Sequence, residues 1–271
     1  MKRKHLITLI CAIACAVFLL IGILCSLSIQ VTHYTVTSSN IPKSFDGFRI
    51  AHITDLHNDE FGTDNDTLIS LLESAQPDII VITGDLIDSY NTDVDISVSF
   101  ISRATQIAPC YYVCGNHELR MPNEYASLKK QMKAYGVTIL EDRSAVIEIN
   151  GESIQLTGLV DRSKLSAQQV SHLTDSTHYT ILLSHRPEHF SQYMEMGADL
   201  VFSGHAHGGQ IRLPIIGALF APGEGFLPKY ADGMHTNNDT TLVVSRGLGN
   251  SSFPIRFYCP PELVIVQLKA Q

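Results

Sequence analysis

Five short strings in this chain are rich in side chains that bind metals or move protons. They are Asp55-Leu56-His57, Gly84-Asp85-Leu86-Ile87-Asp88, Gly115-Asn116-His117-Glu118, the single His185, and Gly204-His205-Ala206-His207-Gly208-Gly209. Together they offer five imidazoles, three aspartate carboxylates besides Glu118, and one carboxamide, with no cysteine among them. Imidazole with oxygen donors suits Mn, Fe, Zn, Ni or Co rather than a thiolate-selected ion. The donors are too many for one ion of ordinary coordination number. Two divalent metal ions with a carboxylate between them fit the set, and such a pair clamps the attacking and leaving oxygens of an in-line displacement. Each string alone has an ordinary explanation. A lone D-x-H or G-N-H is a polar turn, and a lone His is usually a satisfied surface or core residue. H-x-H is stronger, because period-2 spacing in an extended segment aims both rings to one side.

The joint reading depends on what precedes each string. Short apolar runs at 49–54, 78–83, 110–114, 180–184 and 199–203 read as buried strands. All five end on a donor string. In open α/β sheets ligands bind beyond the carboxyl ends of the strands. Polar stretches at 65–75, 93–106, 123–135, 166–173 and 187–196 read as helices, with Pro122 and Pro187 suited to first turns. An Asn150-Gly151 turn joins alternating segments at 144–149 and 153–156 into a hairpin. Strands follow at 241–245 and 263–268, and 204–233 reads as one long irregular loop. The expected fold class is a layered α/β/β/α sandwich with the metal site at the strand C-terminal ends.

The chain has 271 residues and a formal net charge of -8. The balance is more acidic still without the basic start Lys2, Arg3, Lys4. Sequence-independent nucleic-acid binding rests on Lys and Arg and is not expected. A phosphate substrate remains compatible, since bound cations supply local positive charge. Residues 6–29 are almost wholly apolar and long enough as a helix to cross a hydrocarbon core of about 30 Å. With three basic residues before it, the run reads as a single-pass cell-membrane anchor with an extracytoplasmic catalytic domain. A cleaved signal peptide needs a shorter run and a small-residue cleavage site. The expected organisation is an anchor at 1–30, a connector at 31–47 and the domain at 48–271. The body cysteines Cys110, Cys114 and Cys259 read as small core residues.

The motif set, in this order, resembles the calcineurin-like metallophosphoesterase superfamily, over about residues 48–268. The stretch from His205 through Arg212 to Pro214, running on to Pro228-Lys229-Tyr230, is similar to a membrane-anchored or exported bacterial phosphodiesterase branch. The resemblance implies that Asp55, His57 and His207 hold one metal and Asn116, His185 and His205 the other, with Asp85 bridging. His117 is implied to sit by the leaving-group oxygen and donate a proton or a hydrogen bond, oriented by Asp88. Ser89 and Tyr90 follow Asp88 where the Ser/Thr phosphatases carry an Arg, which speaks against a protein phosphatase.

These readings point to hydrolysis of a phosphodiester or pyrophosphate in a phosphate-containing small-molecule or lipid-linked substrate. A phosphomonoesterase and a cell-surface metal-containing binding protein without turnover are the alternatives. Arg212, Arg186 and Arg246 are candidates for substrate phosphate contacts, since Arg matches such oxygens bidentately. Arg212 ranks first by closeness to His207. The apolar residues of 211–234 admit two roles: a cover packed on the domain, or a greasy rim that dips into the outer leaflet or holds an acyl chain.

Overall fold

The computed structural model describes residues 2–174, 177–221, 224–250 and 255–271. Two six-stranded sheets face each other. The first contains β1 (Gln30–Ser38), β2 (Arg49–Ile53), β3 (Ile79–Ile82), β4 (Cys110–Tyr112), β5 (Thr138–Ile139) and β16 (Glu262–Ala270), in the order β1-β16-β2-β3-β4-β5. The second contains β6 (Arg143–Ile149), β7 (Glu152–Gly158), β8 (Tyr179–Leu183), β9 (Leu200–Ser203), β14 (Gly233–Asn237) and β15 (Thr240–Val244), in the order β14-β15-β9-β8-β7-β6. Strands β2 to β5 run parallel, as do β7, β8, β9 and β15. Their C-terminal ends, with the loops that follow, therefore gather along one rim.

The strand pattern explains the layers. Along β2 and β3, Ile50 and Val81 point between the sheets and meet Ile181, Phe202 and Val243 from the second sheet. Ala51, Ile53, Ile80 and Ile82 point the other way, onto α2 (Asp66–Ala75), α3 (Val94–Ala104) and α5 (Pro122–Ala134). On the second sheet Leu182, Val201, Leu242 and Val244 pack with α6 (Ala167–Val170) and α7 (Phe190–Glu195). Both faces of each sheet are covered, so the parallel strands are apolar throughout. Each fully buried aromatic or aliphatic side chain contributes about 1.5–3 kcal/mol. The expected α/β/β/α sandwich is the observed one.

The connector expected at 31–47 carries a paired strand. Nine of the first residues after the apolar run form β1, paired in parallel with β16 from Gln30↔Glu262 to Ser38↔Ala270, and Phe45 from the following turn is fully buried. The stretch alternates Val31, Tyr34 and Val36 with Thr and His, which favours an edge strand but lacks the apolar density of the buried ones. The loop at 204–233 is not wholly irregular. It holds two small hairpins, β10 (Arg212–Leu213) with β11 (Gly217–Ala218) and β12 (Phe220–Ala221) with β13 (Gly225–Phe226), though 222–223 lie outside the described residues.

Among the described residues one helix, α1 (Lys2–Leu24), is long and apolar enough to cross a membrane. The end of the helix touches the domain. The Tyr258 N–H donates to the Gly22 carbonyl at 3.1 Å, the Cys259 N–H donates to Ser26 Oγ at 3.1 Å, and the Phe18 ring lies 5.4 Å from those of Phe257 and Tyr258.

Candidate metal centre

Each donor string follows a parallel strand and bends sharply. Asp55, His57, Asp85, His205 and His207 all have positive φ, between 49° and 64°. That region is uncommon for residues with a side chain, and it collects at functional sites. The second and third strings are pressed together. A Cβ on Gly84 would run into the Gly115 backbone, and one on Gly115 into the Asp85 carboxylate. Glycine alone allows this approach.

The bends bring the donors into two groups. In the first, Asp55, His57 and His207 converge. His57 Nε2 lies 3.2 Å from His207 Nε2 and 3.8 Å from Asp55 Oδ1. In the second, His185 Nε2 lies 3.1 Å from His205 Nδ1 and 3.1 Å from Asp85 Oδ2. The same Asp85 oxygen is 3.7 Å from His57 Nε2, so Asp85 stands between the groups. The His205-Ala206-His207 segment is not extended, contrary to the period-2 expectation. Its turns send His205 to the second group and His207 to the first.

The protonation pattern tests whether cations belong here. Burial opposes charge on both His57 and His185. Nearby carboxylates override it, Asp55 and Asp88 holding His57 up to about 9 and Asp85 holding His185 up to about 10. Burial pushes His207 down to about 3 and His205 well down, with the charges of their partner rings adding. Burial would raise the carboxylates, yet the imidazoles hold Asp55 and Asp85 well below the usual range. In each group a buried carboxylate favours positive charge on the imidazoles beside it, which is the environment a cation needs. The Asn116 side-chain oxygen is buried without a hydrogen-bond partner among the described residues. A neutral oxygen donor facing a cation fits that orphan. Asp55, His57 and His207 form one group that could hold a metal ion and Asp85, His185 and His205 another, and their donor chemistry fits a divalent cation.

Supporting contacts fix the donors. The His185 Nδ1–H donates to the Thr83 carbonyl at 2.8 Å, which leaves Nε2 for the centre. Glu118 is fully buried and accepts N–H bonds from Leu86 at 2.7 Å and Gly115 at 2.9 Å. Burial and the charge of Asp85 push it up to about 7. His117 Nδ1 accepts the Ser89 N–H at 2.9 Å. A neutral ring held this way carries its proton on Nε2, and burial holds His117 below its ordinary value. Asp88 Oδ2 faces His57 Nδ1 at 3.4 Å, and Asp88, His57 and His117 form a third cluster whose donor atoms lie within 4.8 Å of one another. The Ser89 backbone N–H fixes one edge of the His117 ring, and Asp88 lies in the same cluster. Asp88 has its other oxygen tied to the Tyr90 N–H, and that turn aims Oδ2 at His57.

A cavity of about 610 Å³ opens over the donors. Asp85, Asn116, His117, His205 and His207 line it together with Tyr90 and Arg120 and with the apolar Ile211, Leu219, Phe220 and Phe226. Of the three expected arginines, only Arg186 touches a donor, with Nη1 3.2 Å from His205 Nε2. Its other nitrogens are held by Asp161 at 2.7 and 3.1 Å. Arg212 turns back to Asp232 at 2.9 Å and the Gly208 carbonyl, and Arg246 to Glu262 at 2.7 Å. Neither lines the cavity. Arg120, exposed and lining it, was missed, as were Glu118 and Tyr90. Glu118 stands in the Gly115-Asn116-His117-Glu118 string, and Arg120 two residues further on.

Residues 48–209 match the calcineurin-like phosphoesterase family. The metallophosphoesterase YkuE of Bacillus subtilis is 33% identical over 250 residues, covering 89% of this chain and 86% of that protein. Phosphodiesterase YaeI of Escherichia coli is 28% identical, covering 82% of each. A transmembrane protein with metallophosphoesterase domain from Bos taurus is 26% identical over 89% of this chain, which spans 57% of its length. With the motifs, their convergence and these relatives in hand, the chain belongs to the calcineurin-like phosphoesterase family, a family of metal-dependent phosphoesterases.

Proposed function

We propose that this chain is a dinuclear-metal-dependent hydrolase of phosphodiester or pyrophosphate bonds, held in the cell membrane by α1 with its catalytic domain on the extracytoplasmic side. The observation that carries this reading is the placement of Asp85 between two imidazole pairs in the lining of one cavity, with His117 in the same lining. Bound divalent ions would neutralise phosphoryl oxygens and lower the pKa of a nucleophilic water.

The chain's own residues do the rest. Asp55, Asp85 and the four ligand imidazoles present preformed donors, so little reorganisation accompanies charge development. His117 presents its Nε2–H to the leaving-group oxygen as a hydrogen-bond donor. Arg120 and Tyr90 flank that point and contact the phosphoryl group or the leaving group. The relative named a phosphodiesterase supports the diester reading, and the absence of an Arg directly after Asp88 counts against a protein phosphatase. The apolar length of α1 and the relative named a transmembrane protein support the anchor.

The test is hydrolysis by the purified full-length chain with Mn. Bis-p-nitrophenyl phosphate is expected to turn over faster than p-nitrophenyl phosphate, with two metal ions per chain by elemental analysis. Loss on chelation and in Asp85→Asn is expected. Two bound metals with no hydrolysis of any diester, anhydride or monoester would assign the chain to binding without turnover. Preference for the monoester would make it a phosphomonoesterase.

A further inference from the structure

The cavity has an unusual rim. Ile215 is fully exposed, Phe226 is 84% exposed, and Ile216, Phe220 and Leu227 are each at least half exposed. These residues lie on and beside the two small hairpins, and Phe220 and Phe226 also line the cavity. Exposed apolar clusters of this kind mark an interaction surface. The occupant follows from where the hairpins are tied down.

The strand entering the first hairpin is bonded to the segment that docks on α1. The Phe257 N–H donates to the Gln210 carbonyl at 2.8 Å, and the Arg212 N–H donates to the Phe257 carbonyl at 3.0 Å, which makes Ile211 and Phe257 bridge partners. Phe257 in turn packs on Phe18 of α1. Phe18 lies six residues before the helix end at Leu24. At 1.5 Å per residue that is about 9 Å inside the helix. Strands pair at roughly 4.8 Å, so the backbone at Ile211 starts from nearly the same level as Phe257. A helix that crosses the bilayer therefore carries Phe257 and the root of the hairpins down with it, to the depth at which interfacial apolar faces are buried.

We infer that the two hairpins form a second, monotopic membrane contact, and that the cavity opens at the lipid interface to take a phosphodiester or pyrophosphate attached to a lipid. This deepens the proposed function and rests on its reading of α1 as the anchor. Ile215, Ile216, Phe226 and Leu227 sit among acyl chains. Phe220 and Phe226 form the passage between that layer and the donors. The headgroup phosphate reaches the donors while its lipid tails stay in the bilayer.

The chain has no tryptophan, so one introduced indole reports only its own surroundings. Full-length chains carrying Phe226→Trp, Ile215→Trp or Val146→Trp are reconstituted in phosphatidylglycerol–phosphatidylcholine vesicles with and without brominated acyl chains. Val146 is exposed on β6, the edge of the second sheet opposite β14, and serves as reference. Brominated lipid is expected to quench the indoles at 226 and 215 about threefold more than at 146, as for side chains below the headgroups. Equal quenching at the three positions overturns the inference. So does blue-shifted but unquenched emission at 226, the mark of a second protein copy on the rim. Turnover of bis-p-nitrophenyl phosphate with Mn is measured on the same samples. Retained turnover without selective quenching removes the membrane rim and leaves the hydrolase. Selective quenching with no turnover in the unsubstituted chain removes the hydrolase and leaves the rim.

Discussion

Glu118 holds Asp85 by its backbone: Oε2 of Glu118 accepts the Asp85 N–H at 2.8 Å. The same carboxylate takes the Leu86 and Gly115 N–H groups, so one buried side chain joins the second and third donor loops. Glu118→Gln keeps the shape but turns one oxygen into an NH₂ that confronts backbone donors. Stability should fall by about 1–3 kcal/mol. Metal affinity should fall about 10- to 100-fold, as for other residues that orient ligands. Denaturant unfolding and metal titration of the variant measure both. An unchanged metal affinity would reduce Glu118 to a fold residue.

Asp85→Asn removes the carboxylate that stands between the two donor groups. Metal content should drop below two per chain, and diester turnover should fall at least about 10³-fold. Elemental analysis and bis-p-nitrophenyl phosphate hydrolysis test this together. Two tightly held metals in this variant would contradict a bridging Asp85.

The role of His117 can be read from the leaving group. Nitrophenolate leaves with little help, whereas an alkoxide needs a donor at its oxygen. His117→Ala should cost about 10²–10⁴-fold on an alkyl diester and much less on the bis-nitrophenyl compound, with metal content unchanged. Equal losses on both substrates would show that His117 acts elsewhere.

Metal-free protein should be sensitive to alkali. His57 and His185 are held up to about 9 and 10, above the ordinary 6.5. Raised values contribute stability that is fully present below about 6.5 and disappears as pH passes the folded values. With a chelator present, Tm should therefore fall between pH 7 and 10. With Mn present the cations replace those protons and the fall should shrink. Calorimetry across that window decides. A chelated protein with constant Tm would mean that the two protons are not held.

Arg120→Ala tests the arginine that faces the cavity. KM for the diester should rise several-fold while metal content and Tm stay within error, since the residue is exposed. Arg212→Ala should instead lower stability through its lost pair with Asp232, with KM unchanged. The reverse pattern would restore Arg212 to the substrate.

The donor strings were legible in the sequence because each follows a dense apolar run, and a buried parallel strand leaves that pattern plainly. Edge strand β1 was not, since alternating Val, Thr and Tyr read as polar without knowledge of β16, more than two hundred residues away. Arg212 was misplaced because nearness along the chain was taken for nearness in space. Gly208 and Gly209, both at positive φ, turn the backbone away from the donors and send Arg212 to Asp232. Glu118 was visible but had no assigned task. Its partners are backbone groups of another loop, and no side-chain pattern reports those. The pairing of His205 and His207 with different groups depends on φ, which spacing alone does not reveal.

The left-handed backbone at Asp55, His57, Asp85, His205 and His207 also bears on inheritance. Asn, Asp, His and Gly tolerate that conformation best, and β-branched residues least. Mutation at these five places is thus filtered by backbone geometry before catalysis is consulted. A descendant relieved of selection for activity would drift first to Asn or Gly there, keeping its shape. Such a lineage would stay folded and recognisable long after its chemistry had gone.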